Sequence, residues 1–319
     1  MTLAFFFGTH QFSYKPKGVL DFYESHPAVR ESYRQAAEWT GIGTDALLHQ
    51  TGFEDDEQLR LSASAVALAA AMLGIHDVLR ESGIRPAVVG GLSLGGIVSG
   101  CVAGSIGRQD LIDLLFHSQH VPEATEGARV QGFASAFLPL DFDASFYYGE
   151  KREGVYLAGD LGHDVTGSCR ILLLSGYRDA LDRLAAECPP GSILVSPESS
   201  AAIHSPLHRE AGELFRQRVD AIEVADPQLP VASCLERRQL RTGAEVRDMM
   251  VRNMVEPVDL GGLTEEMAAH GVRLGLVLGP SLIKDVIRFP FPMVHVDSPE
   301  GIAEAVAALF EFGVELPAG

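Results

Sequence analysis

The 319-residue sequence is 46% hydrophobic and 21% charged, a composition typical of a globular protein with a large buried core. Its formal net charge of −18 argues against a nucleic-acid partner, because phosphates require a basic surface. The same charge means that an acidic partner could bind only at a local basic patch. No apolar run reaches the length of a membrane span, and no basic segment precedes the apolar N-terminus. We therefore expect no membrane segment and no signal peptide, and we predict a cytoplasmic protein.

The first part of the chain predicts one strand followed by helices. Leu3 to Phe7 is a short apolar run that ends at a loop, residues 8–11, and it predicts a buried strand. Residues 19–49 have the apolar spacing of helices and are interrupted by proline and glycine. Residues 57–79 predict an alanine-rich helix with a nearly continuous apolar surface, which is typical of a helix buried in a core.

Residues 87–100 predict a buried strand, a tight turn at Ser93 and a helix that begins directly after it. Gly91 to Gly95 (GLSLG) fits the G-x-S-x-G pattern of a nucleophile elbow. The glycines leave room for crowded backbone, and the helix directs its N-terminal N–H groups and positive dipole end toward the serine. The pattern favours Ser93 as a nucleophile, and the alternative is a glycine-rich turn with an incidental serine.

After a helix at 109–120, the segment 128–198 changes to short strands rich in β-branched and aromatic residues, around one clear helix at 178–187. This pattern predicts a small α+β subdomain inserted into a larger one. Helices then return and alternate with strands at 273–278 and 292–296. Alternation at this spacing predicts a parallel sheet covered by helices.

The cysteines and histidines do not form a recognisable metal or disulfide pattern. The cysteines are scattered without C-x-x-C spacing at Cys101, Cys169, Cys188 and Cys234. No H-E-x-x-H segment occurs among the 11 histidines. We expect neither a structural metal nor a disulfide framework.

The motifs, taken in order, resemble those of the malonyl-CoA:acyl-carrier-protein transacylase family, the acyltransferases of fatty-acid and polyketide synthesis. The matching segments extend over nearly the whole chain and are AFFFGTHQ at 4–11, GLSLGG at 91–96, AAIHSP at 201–206, VRDMMVRNMVEPVDL at 246–260 and VLGPS at 277–281. The resemblance implies an α/β fold. An α/β-hydrolase-like large subdomain with a parallel sheet would comprise residues 1–127 and 199–319, and an inserted ferredoxin-like small subdomain would comprise 128–198.

The resemblance also implies a catalytic pair and its supporting groups. His204 stands where the family has its catalytic histidine, and it would accept the proton of Ser93. Its local sequence alone favours a loop histidine that serves as a cap before a proline. In the family a main-chain carbonyl orients the imidazole, and this carbonyl corresponds to Asn253. The main-chain N–H groups of Leu94 and Thr9 would form the oxyanion hole.

The resemblance places substrate-binding positions at Gln11, Gln58, Leu92, Ser118 and Ile203. Malonyl-using members have an arginine at the position of Ser118, which pairs with the free carboxylate of the substrate, whereas this sequence has no Arg or Lys from Gln109 to Ala128. Leu92 and Gly96 replace a histidine and a glutamate of the family. Because an unpaired buried carboxylate is strongly destabilised, we expect an acyl group without a terminal carboxylate. For Gln58, a solvated position at the start of a helix is the alternative.

The expected function is an acyltransferase that moves this acyl group between carrier-protein or CoA thioesters through an acyl-enzyme on Ser93, in polyketide or related specialised biosynthesis. The expected partner is an acyl carrier protein, with a phosphopantetheine thioester as substrate and no tightly bound cofactor. Two alternatives remain open. One is a thioester hydrolase that uses the same Ser93 and His204 with water as acceptor, and the other is a non-catalytic module that docks a carrier protein.

A carrier protein presents acidic helices, so a protein with a net charge of −18 needs a local basic surface to bind one. The candidate residues are Arg216, Arg218, Arg237, Arg238 and Arg241, with Lys151 and Arg152 as a second group. Solvated surface arginines are the alternative interpretation.

Overall fold

The computed structural model describes residues 2–9, 16–53, 55–118, 128–197 and 201–314. Its strands are β1 (Thr2–Phe7), β2 (Val88–Gly91), β3 (Gln131–Pro139), β4 (Val155–His163), β5 (Cys169–Tyr177), β6 (Ile193–Val195), β7 (Val231–Ala232), β8 (Gln239–Leu240), β9 (Val258–Asp259), β10 (Val272–Leu278) and β11 (Met293–Val296). Its α-helices are α1 (Pro16–Ser25), α2 (Pro27–Thr40), α3 (Thr44–His49), α4 (Glu57–Glu81), α5 (Leu94–Val102), α6 (Arg108–Ser118), α7 (Ala144–Tyr147), α8 (Arg178–Glu187), α9 (Arg209–Asp220), α10 (Gly243–Arg252), α11 (Leu260–Ala269) and α12 (Pro299–Glu311).

The larger of the two sheets has the strand order β11-β10-β1-β2-β7-β8. The pairings from β11 to β7 are parallel, and β8 adds to β7 in the antiparallel direction. β1 lies in the middle of the sheet, and Leu3 to Phe7 are at most 1% exposed. Burial of both faces is typical of a parallel sheet covered by helices. The predicted parallel sheet is therefore confirmed.

Helix α4 belongs to the same hydrophobic core as this sheet. It begins after Asp56, whose side chain accepts a hydrogen bond from the Leu59 N–H and so caps the helix. By length and mean hydropathy, 1.6 over its most apolar window, α4 is able to cross a membrane, yet 83% of that window is buried inside the protein. Its apolar surface is thus covered by packing, as the sequence predicts for a core helix.

The smaller sheet has the order β6-β3-β5-β4-β9. Its first four members are antiparallel and, with α7 and α8 between them in the chain, form the β-α-β-β-α-β arrangement of a ferredoxin-like fold, which confirms the prediction. On one face, Leu172 and Leu174 share a hydrophobic cluster with Leu181 and Leu184 of α8. The opposite face is turned toward the large subdomain, because Ile171 packs in the large core.

Strand β9 is a connection that the sequence analysis did not predict. It pairs in parallel with β4, although its two residues lie well outside 128–198. A two-residue strand is too short to give a periodic pattern. The small sheet is therefore completed by a segment that returns from the large subdomain.

The turn between β2 and α5 packs against the end of β1 with almost no free space. A Cβ added at Gly95 would lie 1.9 Å from the main-chain oxygen of Phe7 and 2.4 Å from that of Gly8. A Cβ at Gly91 would lie 2.3 Å from the main chain of Gly95. The Leu92 N–H also donates a hydrogen bond to the Phe7 carbonyl at 2.9 Å. Both glycines of the elbow pattern are therefore required by the close approach of backbone.

We expect Gly95→Ala to lower the free energy of unfolding by about 3 kcal/mol, because the added methyl group meets main-chain atoms that cannot rotate away. Gly43→Ala is a matched control, since Gly43 has a φ of −59° and no described atom lies within 4 Å of its added Cβ. Chemical denaturation of both variants measures the difference. Equal stability of the two variants would contradict this account of the elbow.

Candidate active site

Ser93 occupies the turn between β2 and α5 with a φ of 55° and a ψ of −116°, a strained conformation for a residue with a side chain. It stands at the N-cap position of α5, but its side chain forms no capping hydrogen bond within the described chain. Its Oγ is instead 2.8 Å from Nε2 of His204. The turn therefore directs the hydroxyl to a partner outside its own helix.

His204 is held by hydrogen bonds from both subdomains. In the small subdomain, the Ser175 hydroxyl donates to the carbonyl of the preceding residue, Ile203, and the Gln131 side chain accepts an N–H from the same segment. In the large subdomain, the Met254 carbonyl accepts the His204 N–H at 3.2 Å. His204 also has a positive φ of 55°. Its imidazole therefore reaches Ser93 only while the two subdomains keep their relative position.

Burial lowers the pKa of His204 from 6.5 to about 4, and the side chain is 4% exposed. The main-chain carbonyls of Asn253 and Glu256 oppose this shift, whereas the neighbouring His208 adds to it. The imidazole Nδ1 is buried and forms no hydrogen bond of normal geometry with the described residues. The Asn253 carbonyl is thus close to the imidazole, and its orienting role stays a prediction. The neutral imidazole favoured here is the form that accepts a proton.

The side chain of Asn253 makes a contact that the sequence analysis missed. Its Nδ2 donates to the main-chain carbonyl of Ser93 at 3.1 Å, and its Oδ1 is 3.6 Å from Sγ of Cys234. Asn253 is 2% exposed, so this amide braces the nucleophile turn from the end of α10. The contact joins residues 160 positions apart, and a polar residue at a helix end carries no signal for such a partner.

Leu94 and Thr9 lie on two segments that touch. Leu94 is the first residue of α5, so its N–H has no acceptor within the helix. Thr9 follows Gly8, whose N–H donates to Oγ of Ser281 at 3.0 Å. Ser281 is 2% exposed and was not among the predicted site residues. The two adjacent segments could therefore present the main-chain N–H groups of Leu94 and Thr9 to one oxyanion. That these two groups form the oxyanion hole stays a prediction.

A cavity of about 870 Å³ lies beside the nucleophile turn, and Thr9 and Leu92 line it. The other lining residues come from the small sheet, from the segment 280–287 after β10, and from the regions where α1 and α12 begin. The cavity is therefore bounded by both subdomains, like the Ser93–His204 contact itself.

The remaining predicted substrate residues have different positions. Leu92 is 2% exposed and lines the cavity, and Ile203 is half-buried against small-subdomain side chains. Gln58 is exposed on the first turn of α4, and Ser118 is the last residue of α6 and donates its hydroxyl to a carbonyl of that helix. Neither belongs to the described lining of the cavity. Gln11 lies outside the described residues.

The arginines predicted to bind a partner are each engaged within this chain. Their contacts are Arg216 to Glu213, Arg218 to Asp113, Arg237 to Glu265, Arg238 to Glu236 and Glu245, and Arg241 to Gln239. In the second group, Arg152 pairs with Glu187 and Lys151 contacts Ser145. Exposed ion pairs of this kind contribute about 0–1 kcal/mol to stability, so the arginines can exchange these carboxylates for others. In this structure, however, the paired carboxylates offset the positive charge of the arginines. A docking role for these residues stays a prediction.

Among the residues that the structure describes, no cluster of His, Cys, Asp and Glu is placed to hold a metal ion. The four cysteines are free thiols. Burial raises the pKa of Cys234 to about 12, so this thiol near the turn stays protonated at neutral pH. Ser93 is therefore the nucleophile that the described site offers.

Comparison with known proteins finds several relatives that share one name. No family model matches the sequence. The malonyl CoA-acyl carrier protein transacylase of Bacillus subtilis is 27% identical over 307 residues, which cover 91% of this chain and 92% of the relative. The transacylase of the same name from Escherichia coli K12 is 27% identical over 275 residues, which cover 83% of this chain and 85% of the relative.

Solved structures agree in fold. An acyl carrier protein S-malonyltransferase from Vibrio cholerae superposes with a TM-score of 0.79 at 22% identity, over 96% of this chain and 100% of the other. A malonyl-transacylase in complex with its type II polyketide synthase acyl carrier protein has a TM-score of 0.81 at 21% identity, over 97% of this chain and 100% of the other. At these identities the likeness supports the two-subdomain fold.

We expect the acidic limb of the pH profile for acylation of Ser93 to lie near pH 4. His204 must be neutral to accept the proton, so the rate falls as pH drops through its lowered pKa of about 4. At pH 5.5 a histidine with an ordinary pKa near 6.5 would leave only about a tenth of the rate, whereas this site should keep most of it. Single-turnover acylation measured from pH 4 to 8 gives the profile. A midpoint near 6.5 would contradict the effect of burial.

Proposed function

We propose that this chain, an acyltransferase related to the malonyl-CoA:acyl-carrier-protein transacylases, transfers acyl groups. The acyl group would move between phosphopantetheine thioesters of an acyl carrier protein or CoA. The observation that carries the proposal is the 2.8 Å contact between the Ser93 hydroxyl and the His204 imidazole at a strained turn. The named relatives support a setting in fatty-acid or polyketide synthesis. A cytoplasmic location is part of the same proposal.

In the proposed reaction, Nε2 of His204 accepts the hydroxyl proton while Oγ of Ser93 attacks the thioester carbonyl. The carbon–sulfur bond breaks, the leaving thiolate takes the proton from His204, and the acyl group stays on Ser93 as an ester. A second phosphopantetheine thiol then gives its proton to His204, and its sulfur attacks the ester carbonyl. The carbon–oxygen bond to Ser93 breaks, Oγ takes the proton back from His204, and the acyl group leaves as the new thioester. The N–H groups of Leu94 and Thr9 would stabilise the oxyanion in both steps.

The proposed second substrate is an acyl carrier protein, as in the neighbouring complex with its malonyl-transacylase. The opening of the site between the two subdomains supports entry of a flexible phosphopantetheine arm. The docking surface is proposed to include the arginines that follow the His204 segment, Arg216 and Arg218, and the group at 237–241. These side chains would exchange their own carboxylate partners for those of the carrier protein.

We further propose that the acyl group has no free carboxylate, although the relatives are named for malonyl transfer. The segment 109–128 contains no Arg or Lys, so no cation is available there to pair with a carboxylate. Lys17 and Lys284 line the cavity, but Lys284 is 3.0 Å from Asp297 and both share the lining with further acidic groups. Leu92 places an apolar side chain where the family has a histidine.

Wild-type protein mixed with an acyl-pantetheine thioester should gain one acyl group on Ser93, and Ser93→Ala should gain none. His204→Ala should slow this acylation by about 10²–10⁴-fold, because the general base is lost. Intact-protein mass spectrometry measures the adduct. Equal adduct yield on Ser93→Ala would remove the assignment of the nucleophile.

Adding phosphopantetheinylated acyl carrier protein to the isolated acyl-enzyme then separates the possible reactions. Transfer of the acyl mass to the carrier protein supports the proposal. Release of the free acid at the same rate with and without carrier protein would mean that the protein is a hydrolase.

We expect kcat/KM to be at least tenfold higher for propionyl-pantetheine than for malonyl-pantetheine, because the malonyl carboxylate lacks a buried partner. Ser118 is outside the described cavity lining, so Ser118→Arg improves malonyl transfer only if its longer side chain reaches the carboxylate. Ser118→Met, of similar length without the charge, should give no gain. Initial rates of acylation measure both comparisons. A preference of the wild-type protein for malonyl would show that another cation pairs with the carboxylate.

A further inference from the structure

We propose that the cavity beside Ser93 binds an extended aliphatic acyl chain, and that its walls select for chain length. The inference rests on the proposed acyltransferase function and names the class of acyl group.

The cavity starts beside the turn that carries the reacting serine, although Ser93 itself is not among the described lining residues. Leu92, the residue before Ser93, lines it, and so does Thr9 from the segment that faces the first turn of α5. An acyl group attached to Oγ of Ser93 extends from the same turn. In the proposal, the first methylene groups of such a chain enter this space past Leu92 and Thr9.

One wall is a largely apolar surface of the small sheet that contains a single serine, Ser135. Phe137 on β3 is directly opposite Ile171 on β5, and Ser135 is opposite Leu173 in the same register. Because residues two apart on a strand share a face, these four side chains form one patch, which Leu161 of β4 extends. This is the face that α8 does not cover.

The other wall is the segment after β10, which crosses from the large to the small subdomain. It contributes the side chains of Pro280, Leu282, Ile283, Val286 and Ile287. Main-chain hydrogen bonds fix it to the small subdomain, from the Val165 N–H to the Val286 carbonyl and from the Arg288 N–H to the His163 carbonyl, both 2.9 Å long. This wall is therefore fixed to the small subdomain, and the cavity has a volume of about 870 Å³.

The charged groups of the lining are at its solvent-exposed side, where Lys17, Asp21, Lys284 and Glu300 are exposed and Asp297 is half-buried. Three of these five groups are carboxylates and two are ammonium groups. Lys284 is already paired with Asp297 at 3.0 Å. The phosphate of a pantetheine arm would be repelled by the net negative charge at this exposed side of the cavity. An uncharged acyl chain would meet no such repulsion. The occupant that fits is the acyl chain.

Burial of a chain in this space should raise the rate of Ser93 acylation by up to about fourfold for each added methylene, which corresponds to about 0.8 kcal/mol. The test measures kcat/KM for acetyl-, butyryl-, hexanoyl- and octanoyl-pantetheine by single-turnover mass spectrometry. Leu161→Trp narrows the cavity, and Ile283→Asp places a charge on the opposite wall at a position that is 57% exposed and therefore tolerant of substitution. Leu140→Trp is the control, since Leu140 is 55% exposed directly after β3 and is not part of the described lining.

For the wild-type protein and Leu140→Trp we expect octanoyl to exceed acetyl by at least tenfold. In Leu161→Trp and Ile283→Asp the octanoyl rate should fall at least tenfold, with the acetyl rate within about twofold of wild type. Acylation of wild-type Ser93 that does not increase with chain length would overturn the proposal and leave the proposed function intact. Equal losses for acetyl and octanoyl in both wall variants would overturn it too, because the cavity would then hold the pantetheine arm. No acylation by any thioester would refute the acyltransferase function itself.

Discussion

The close approach between the end of β1 and the first turn of α5 is the constraint on which the site depends. Gly95 has no room for a Cβ beside the Phe7 and Gly8 carbonyls, and the Leu92 N–H bonds to Phe7. This contact brings the two segments that carry the predicted oxyanion donors together. It also holds Ser93 in a conformation that an isolated chain would avoid. The strain is thus maintained by packing of main chain on main chain, with the Asn253 amide on the Ser93 carbonyl as a further support.

The position of His204, the second residue of the proposed catalytic pair, depends on the relation between the two subdomains. Ser175 and Gln131 of the small sheet hold the segment that presents His204, while the Met254 carbonyl of the large subdomain holds His204 itself. Burial at this junction lowers the pKa of the imidazole to about 4. A base with so low a pKa is a weak proton acceptor, but it is almost entirely neutral at physiological pH. The buried junction therefore keeps nearly all of the His204 imidazole in the neutral form that can accept a proton, at the expense of its basicity.

Local patterns in the sequence predicted the elements that depend on local residues. The helix at 178–187 was placed with its observed ends, and the strand, turn and helix around Ser93 follow from glycine spacing and apolar runs. The ferredoxin-like order and the position of His204 came from the family resemblance, because local sequence alone gave a loop histidine. The contacts of Asn253 with the Ser93 carbonyl and of Ser281 with Gly8 were missed, since each joins distant segments. The ion pairs of Arg218 with Asp113 and of Arg237 with Glu265 were missed for the same reason, whereas Arg216 and Arg238 pair with carboxylates two or three residues away in the sequence.

The distribution of charge in the site connects the base with the substrate. A carboxylate held near His204 would stabilise the imidazolium and raise its pKa, which would counter the effect of burial. The sequence instead replaces polar groups of the family with Leu92 and Gly96 and supplies no cation at 109–128. The cavity walls are mostly apolar, and the charged groups of the lining lie at the solvent-exposed side. A neutral buried base and the proposed uncharged acyl group therefore both follow from one property, an interior with few fixed charges.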